Sequence, residues 1–278
     1  YILKQMAKSF NLIEFYIKDV HFPNKKPDNA HKYDFGMLFV YGGERPYRGA
    51  TLLCIKTALK TGIGVVYSLF HGSQNYEILK QFPEVICLES LDQIKLSIKK
   101  DSFIVAGPGT SELSKHTDLI NIISVHEKTS ILDAALIQAI KEIKFVTPPI
   151  ITPHEGEAAK LLNCSPEIIK NNRERSIKEI SNSYSCITVL KGKDTLICDG
   201  ETIYKCKHGS NNLAKAGSGD ILAGLIGSLL AQGLSPVESC KTAVALHGFC
   251  AEQLPNRGYI ANEFIEKIAE QRFSLSVI

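Results

Sequence analysis

The sequence lacks the features that mark several large classes of protein. Its eight cysteines include no CxxC pair, so neither a zinc site nor a dithiol redox motif is indicated. The best apolar candidate, Ile221 to Ala231, is about half as long as a membrane-spanning helix needs to be. The N-terminus carries no signal-peptide pattern. We therefore expect a cytoplasmic protein that does not enter a membrane.

Basic charge and the common nucleotide-binding fingerprints are also scarce. The 278 residues carry a formal net charge of only +3 and no Lys/Arg block, which argues against a nucleic-acid partner. No GxxxxGK[ST] motif occurs, so a P-loop is excluded. The stretch "GIGVVY" departs from GxGxxG after its second glycine, and a Rossmann dehydrogenase is not supported.

What the sequence does contain is an alternation of short β-rich runs and helical segments. "GMLFVYGG", "VVYSLF" and "SFIVAGPG" are typical of buried strands, and Gly49–Gly62 has helical spacing. A helical stretch is predicted from Ser165, as N-cap, to Tyr184. Residues 186–208 indicate a β-meander. The pattern predicts an α/β fold with a central, mainly parallel sheet and helices on both faces.

The unusual residues fall where strands are predicted to end, which is where open α/β sheets bind ligands. They are Gly42–Gly43, Gly107–Gly109, Thr152–His154, Lys191–Gly192 and Ala216–Asp220.

In "AGSGD" the glycines free backbone N–H groups to meet an anion at the start of a helix. Asp220 then has two interpretations, a partner of the helix dipole or a general base beside an anion hole built by Gly217, Ser218 and Gly219.

Several motifs, in order along the chain, resemble those of the ADP/ATP-dependent NAD(P)H-hydrate dehydratase family of the ribokinase-like superfamily. They are "HKYDFGMLFVYGG", "YRGATLLCIKTALKTGIGVVY", "AGPGT", "ITPHEGEAAKLL", "LKGKDTLI" and "NNLAKAGSGDILAGLIGSLLAQG". The resemblance covers roughly residues 30 to 272. It implies that ADP or ATP, with ADP favoured and with Mg²⁺, phosphorylates the ring hydroxyl of hydrated NADH or NADPH, and that phosphate then leaves. It also implies a homo-oligomer, a tetramer, while leaving the metal ligands open.

The resemblance also assigns residues. It implies that Asp220 is the catalytic base and contacts the substrate, and that Ala50, Gly109 and His154 line the hydrated dinucleotide. It implies that the nucleotide is bound by Lys191, Gly192, Lys193, Asp194, Thr195 and Gly219. Structural roles remain open alternatives: a hairpin turn for "KGKDT", a structural histidine, and a helix-packing alanine.

The chain departs from the family pattern at a few positions. Tyr33 stands where a glycine is usual, "GPGTSE" replaces GPGLG, and Ala216 replaces the first of two adjacent glycines. "LDAALI" keeps Asp133 but lacks the second acid of the family run, which we expect to weaken metal or phosphate organisation.

The first thirty residues resemble the junction in bifunctional repair proteins. Because the chain begins with Tyr1, we expect residues 1–30 to be an extension or a junction to an epimerase domain, and residues 31–278 to form the dehydratase domain. A single-domain enzyme with an N-terminal extension is the alternative. Two other functions remain open, a ribokinase-like kinase of vitamin precursors and a nucleotide-binding module that has lost activity.

Overall fold

The computed structural model describes residues 11–70, 76–98, 101–256 and 258–276. Residues 1–10 of the predicted N-terminal extension lie outside the described part.

The described residues form one ten-stranded sheet, with strand order β1-β10-β9-β8-β7-β6-β5-β2-β3-β4. The strands are β1 Asn11–Phe15, β2 Met37–Gly42, β3 Val65–Phe70, β4 Ile86–Cys87, β5 Phe103–Ala106, β6 Ser130–Leu132, β7 Ile150–Ile151, β8 Ile187–Leu190, β9 Leu196–Cys198 and β10 Thr202–Cys206. Only β9 runs antiparallel to its neighbours, β8 and β10. The predicted mainly parallel sheet and the β-meander over residues 186–208 are both confirmed.

Ten α-helices connect or follow these strands within the described residues. They are α1 Arg48–Lys60, α2 Tyr76–Gln81, α3 Leu91–Ser97, α4 Thr117–Ser124, α5 Glu155–Leu162, α6 Pro166–Asn171, α7 Arg173–Tyr184, α8 Ser218–Ala231, α9 Pro236–Glu252 and α10 Ala261–Leu275. Two buried apolar clusters, one on each face of the sheet, show that helices cover both faces. One contains residues of α1, α8, α9 and α10, and the other contains residues of α4, α5 and α7.

The prediction of one helical stretch from Ser165 to Tyr184 needs a correction. Ser165 does cap a helix, since its side chain accepts a hydrogen bond from the Ile168 amide and Pro166 follows. The helix breaks at Asn172, however, whose φ and ψ of −137° and 43° are not helical. The chain therefore forms two helices, and Arg173 becomes the first residue of the second one.

The position of α8 depends on two glycines in its buried surface. A Cβ on Gly224 would collide with the carbonyl oxygen of Cys54 in α1, and a Cβ on Gly227 would lie 2.5 Å from Val105 Cγ2 in β5. The missing side chains let α8 pack tightly against both elements. This contact aims the N-terminus of α8 at the edge of the sheet where β5 and its neighbours end.

The first described segment belongs to the same sheet. β1 pairs in parallel with β10 along its whole length, and Phe15 is buried in the core. The predicted domain boundary near residue 30 stays a prediction. No helix among the described residues combines the length and the apolar character that crossing a membrane requires.

Candidate active site

The candidate residues gather at the edge of the sheet where the parallel strands end. Gly107 follows β5, Asp133 follows β6, His154 follows β7 and Lys191 follows β8. The N-terminus of α8 faces the same edge, because a Cβ on Gly219 would lie 3.3 Å from Lys191 Nζ. Most of the residues that the sequence indicated therefore surround one location, as expected for a parallel α/β sheet.

The first turn of α8 presents unbonded amides. Gly217 is the N-cap residue with φ of 90°, a conformation that glycine adopts without strain. The Ser218 amide donates to the carbonyl of Lys215 at 3.2 Å, which closes the preceding turn. The amides of Gly217, Gly219 and Asp220 find no acceptor within the described chain. An anion at this helix start would receive these donors and the field of the helix dipole.

Lys191 is the cation at the centre of the site. Its ammonium lies 3.1 Å from Asp133 Oδ1 and 3.9 Å from Glu157 Oε2. Asp133 is itself buried, and its Oδ1 also accepts a hydrogen bond from Thr152 Oγ1 at 2.6 Å. Asp133 therefore orients Lys191, a role that does not need the second acid missing from "LDAALI".

Asp220 has the electrostatics of a general base. Burial, supported by the negative charge of Asp133, raises the pKa of Asp220 to about 7, and the positive charge of Lys191 opposes this rise. Its carboxylate forms no hydrogen bond or ion pair with another residue of the described ranges. A carboxylate that is half protonated near neutrality and is not otherwise engaged can accept a proton from a ligand.

His154 has a structural role that sequence reasoning left as an alternative. Its Nδ1 accepts hydrogen bonds from the amides of Gly156 at 2.9 Å and Glu157 at 3.3 Å, and so caps α5. Because Nδ1 is an acceptor, the neutral ring carries its proton on Nε2. The side chain is 60% exposed and borders the pocket described below, so capping leaves Nε2–H able to meet a ligand.

Two predicted substrate residues, Ala50 and Gly109, are neighbours. A Cβ on Gly109 would lie 3.2 Å from Ala50 Cβ and would collide with the carbonyl oxygen of Tyr47. Gly109 also has φ of 76°. The position therefore requires glycine for both space and backbone conformation. Ala50 lies in the first turn of α1, which packs along α8.

A buried carboxylate beneath this turn was missed by sequence reasoning. Glu44 Oε1 accepts from the Ser111 amide at 3.0 Å and lies 2.6 Å from His116 Nε2, while Oε2 accepts from Ser111 Oγ at 2.6 Å. These bonds hold the pKa of Glu44 at about 2, although burial opposes them. Ser111 belongs to "GPGTSE", the segment in which this chain departs from GPGLG.

The predicted nucleotide loop borders a pocket of about 530 Å³. Lys191 to Thr195 form one wall, and Ser218 and Gly219 form another. The loop is the β8–β9 turn, closed by a hydrogen bond from Thr195 Oγ1 to the Gly192 carbonyl at 3.0 Å. The hairpin turn and the predicted binding loop are thus the same segment of chain. A volume of this size suits a small organic ligand.

His247, also missed by sequence reasoning, contacts Ser218 in the predicted anion hole. It is buried in α9, and its Nε2 lies 3.0 Å from the Ser218 carbonyl oxygen and 3.3 Å from Ser218 Oγ. Burial lowers the pKa of His247 to about 4. The ring is therefore neutral near pH 7 and contributes a hydrogen bond to the first turn of α8 without a charge.

The remaining departures from the family pattern do not disrupt these contacts. Ala216 is exposed and precedes the first turn of α8. Tyr33 lies before β2, at the opposite edge of the sheet from the site. Among the described residues, no group of three or more His, Cys, Asp or Glu side chains is arranged to hold a metal ion.

The chain is similar to known proteins in both sequence and fold. The family model described as NAD(P)H-hydrate dehydratase matches residues 38–270. An ADP-dependent (S)-NAD(P)H-hydrate dehydratase of Neisseria meningitidis is 31% identical over 252 residues, which are 87% of this chain and 84% of that protein.

A bifunctional NAD(P)H-hydrate repair enzyme of Coxiella burnetii is 30% identical over 238 residues, covering 84% of this chain and 49% of that protein. The chain thus spans about half the length of the bifunctional relatives that it matches.

The fold matches a crystal structure of the ADP/ATP-dependent NAD(P)H-hydrate dehydratase from Bacillus subtilis, co-crystallized with ATP and Mg²⁺. The TM-score is 0.81 at 23% identity, and the match covers 93% of this chain and 99% of that one. A ribokinase-like superfamily protein from Enterococcus faecalis matches with a TM-score of 0.83 at 18% identity, covering 98% of each chain. The predicted ribokinase-like fold is confirmed.

Proposed function

Since the chain belongs to the NAD(P)H-hydrate dehydratase family, we propose that it uses a nucleotide to convert hydrated NADH or NADPH back to the reduced coenzyme. The observation that carries this proposal is the position of Asp220. Its carboxyl, with a pKa near 7, stands in the first turn of α8 beside free amides and beside the loop from Lys191 to Thr195. Such an arrangement suits transfer of a phosphoryl group to a hydroxyl.

The first step is phosphorylation of the hydrated ring. Asp220 removes the proton from the ring hydroxyl, and the oxygen forms a bond to the terminal phosphorus of the nucleotide. The bond from that phosphorus to the bridging oxygen breaks, which leaves AMP when ADP is the donor. The amides of Gly217 and Gly219 and the ammonium of Lys191 stabilise the charge that develops on the phosphoryl oxygens.

The second step is elimination. Phosphate is a much better leaving group than hydroxide. The lone pair of the ring nitrogen expels it, a proton leaves the neighbouring ring carbon, and the ring double bond returns. The sum is hydrated coenzyme plus ADP giving reduced coenzyme, AMP and phosphate.

We propose ADP as the preferred donor, because two relatives are named ADP-dependent. Magnesium would arrive with the phosphates, since Mg²⁺ takes most of its ligands from phosphate and water rather than from a protein cage. The shortage of clustered metal-binding side chains in the described chain fits this mode of binding. Magnesium would neutralise the phosphates, while binding, orientation and proton removal fall to the residues above.

Further expectations rest on the family resemblance. We propose a homo-oligomer, a cytoplasmic location, and a dehydratase domain over residues 31–278. The match to half of the bifunctional relatives supports the proposal of an epimerase partner domain in a longer protein.

The proposal is tested by supplying hydrated NADH with ADP or ATP and Mg²⁺ and following the recovery of NADH absorbance, with AMP or ADP and phosphate measured separately. Recovery in step with phosphate release is expected. A stable phosphorylated product would favour the ribokinase-like kinase instead. No recovery of NADH absorbance with either nucleotide would contradict the proposal. It would favour the alternative of a nucleotide-binding module that has lost activity.

A further inference from the structure

Arg173 links the two loops that the proposed reaction has to bring together. Its guanidinium donates to Glu155 Oε1 at 2.6 Å, to the Leu190 carbonyl at 3.0 Å and to the Lys191 carbonyl at 3.3 Å. Glu155 is the first residue of α5 and follows His154 directly. Leu190 and Lys191 lead into the loop that ends at Thr195.

The location of Arg173 is unfavourable for its own helix. It is the first residue of α7, where the positive end of the helix dipole repels a cation. Its side chain is only 17% exposed, so water does little to relieve this repulsion. The Glu155 carboxylate and the two carbonyls compensate for it. Because the helix breaks at Asn172, Arg173 is the first residue of α7 and not an interior residue of one longer helix.

The guanidinium of Arg173 occupies the space where a side chain at residue 192 would lie, so this position requires glycine. A Cβ at Gly192 would lie 2.7 Å from Arg173 Nη1, and Gly192 has φ of 135°. The side chain of Arg173 therefore supports the underside of the predicted nucleotide loop. A planar fork that binds a carboxylate and carbonyls at once cannot be reproduced by lysine, which is a point donor.

We propose that Arg173 is a positioning residue, which holds the predicted nucleotide loop at a fixed place relative to His154 and the N-terminus of α5. The proposal rests on the proposed function, which assigns ADP to the loop from Lys191 to Thr195 and the hydrated coenzyme to His154. A backbone bond from the Lys191 amide to the Pro153 carbonyl at 2.9 Å joins the same two strand ends. Arg173 adds a side-chain link that holds the loop beyond them.

The test compares Arg173→Gln, Arg173→Lys and Glu155→Gln with a matched control, Arg175→Gln. Arg175 is an exposed arginine of the same helix, two residues further on. ADP binding is measured by titration calorimetry without substrate, and kcat and KM are measured for ADP and for hydrated NADH. Thermal unfolding is recorded for each variant.

We expect Arg173→Gln to weaken ADP binding at least tenfold and to lower kcat. Arg173→Lys should recover only part of the ADP affinity and kcat. Arg175→Gln should bind ADP and turn over as the wild type does. Glu155→Gln should have a smaller effect in the same direction. Combined with Arg173→Gln, it should add less than its effect alone, because both changes break one link. If Arg173→Gln unfolds, Arg173→Lys and Glu155→Gln carry the test.

A fall in melting temperature with ADP affinity and kcat unchanged would overturn the inference and leave Arg173 a structural residue only. Equal effects of the Arg173 and Arg175 variants would also overturn it. The proposed function fails separately: if wild type does not turn over hydrated NADH, ADP titration still decides whether Arg173 positions the nucleotide loop.

Discussion

The ammonium of Lys191 lies 3.1 Å from the carboxylate of Asp133, and this pair sets the charge around the candidate base. Glu157 stands 3.9 Å from the same ammonium, and the charges of Lys191 and Asp133 both act on Asp220. The single positive charge of Lys191 therefore interacts with Asp133, Glu157 and Asp220. The protonation of Asp220 near neutrality therefore depends first on its burial and then on the charges of Asp133 and Lys191.

The activity of the wild-type protein should depend on pH. Because burial and Asp133 raise the pKa of Asp220 to about 7, kcat/KM should rise with pH through about 7 and level off above it, as the base loses its proton. The measurement is kcat/KM for hydrated NADH at saturating ADP across this range. A flat profile through neutrality would contradict the assignment of Asp220 as the base.

Two variants should move this profile in opposite directions. Asp133→Asn removes a negative charge that raises the pKa of Asp220, so its profile should shift to lower pH. Lys191→Gln removes a positive charge that lowers the pKa, so its profile should shift to higher pH. Profiles of the two variants, measured side by side, check this. Shifts of the same sign would rule out the electrostatic account, whatever the loss in rate.

Asp220→Asn should abolish turnover by orders of magnitude and also stabilise the fold above neutrality. The folded pKa of about 7 lies above the ordinary value of 3.8, so stability is lost as pH rises between these values. The neutral side chain avoids this loss, with an upper limit of about 4 kcal/mol. Urea unfolding at about pH 8 should show the gain.

The same pair of proteins provides the control for this prediction. Toward about pH 4, where the carboxyl of folded wild type is protonated, the stability advantage of Asp220→Asn should vanish. An equal advantage at both pH values would mean that it does not come from the charge of Asp220.

Gly109→Ala should damage the substrate side of the site. The added Cβ meets the Tyr47 carbonyl, and a φ of 76° costs alanine about 1 kcal/mol before any clash. We expect KM for hydrated NADH to rise more than KM for ADP, measured in one kinetic series. Gly49→Ala is the control, since Gly49 lies in the first turn of α1, beside Ala50, and a Cβ there meets open space. If KM for ADP rises more, Gly109 does not belong to the substrate side.

Glu44→Gln tests whether the buried carboxylate shapes the turn that contains Gly109. The amide cannot accept from Ser111 and His116 as the carboxylate does, so we expect a rise in KM for hydrated NADH and a loss of about 1–3 kcal/mol of stability. Glu112→Gln is the control, because Glu112 is 61% exposed and pairs with Lys115 at the surface. Kinetics and urea unfolding of both variants check this, and equal effects would refute it.

Much of the fold could be predicted because its signals are local. "VVYSLF" forms β3 over its full length, since consecutive β-branched and aromatic residues suit a strand buried on both faces. The turns of the meander were marked by glycine and aspartate. The break at Asn172 was not predicted, because most residues between Ser165 and Tyr184 are compatible with helix, and the hydrogen bond from Arg173 to the Leu190 carbonyl in β8 is a tertiary contact.

The candidate site divides in the same way. Its glycine-rich turns and Asp220 were visible because close backbone approach leaves a pattern in the sequence. The partners that tune Asp220 were not, because Lys191 and Asp133 are 58 residues apart and meet only through the sheet. Glu44, Arg173 and His247 likewise act through tertiary contacts that no local pattern signals.

The most direct test of the account is a single assay of wild type and Asp220→Asn with hydrated NADH, ADP and Mg²⁺ at about pH 8, where the wild-type carboxyl is largely ionised. The account predicts that wild type restores NADH and releases one phosphate for each NADH formed. It also predicts that Asp220→Asn binds ADP normally but restores NADH orders of magnitude more slowly. Recovery of NADH by both proteins at similar rates, or by neither, would contradict it.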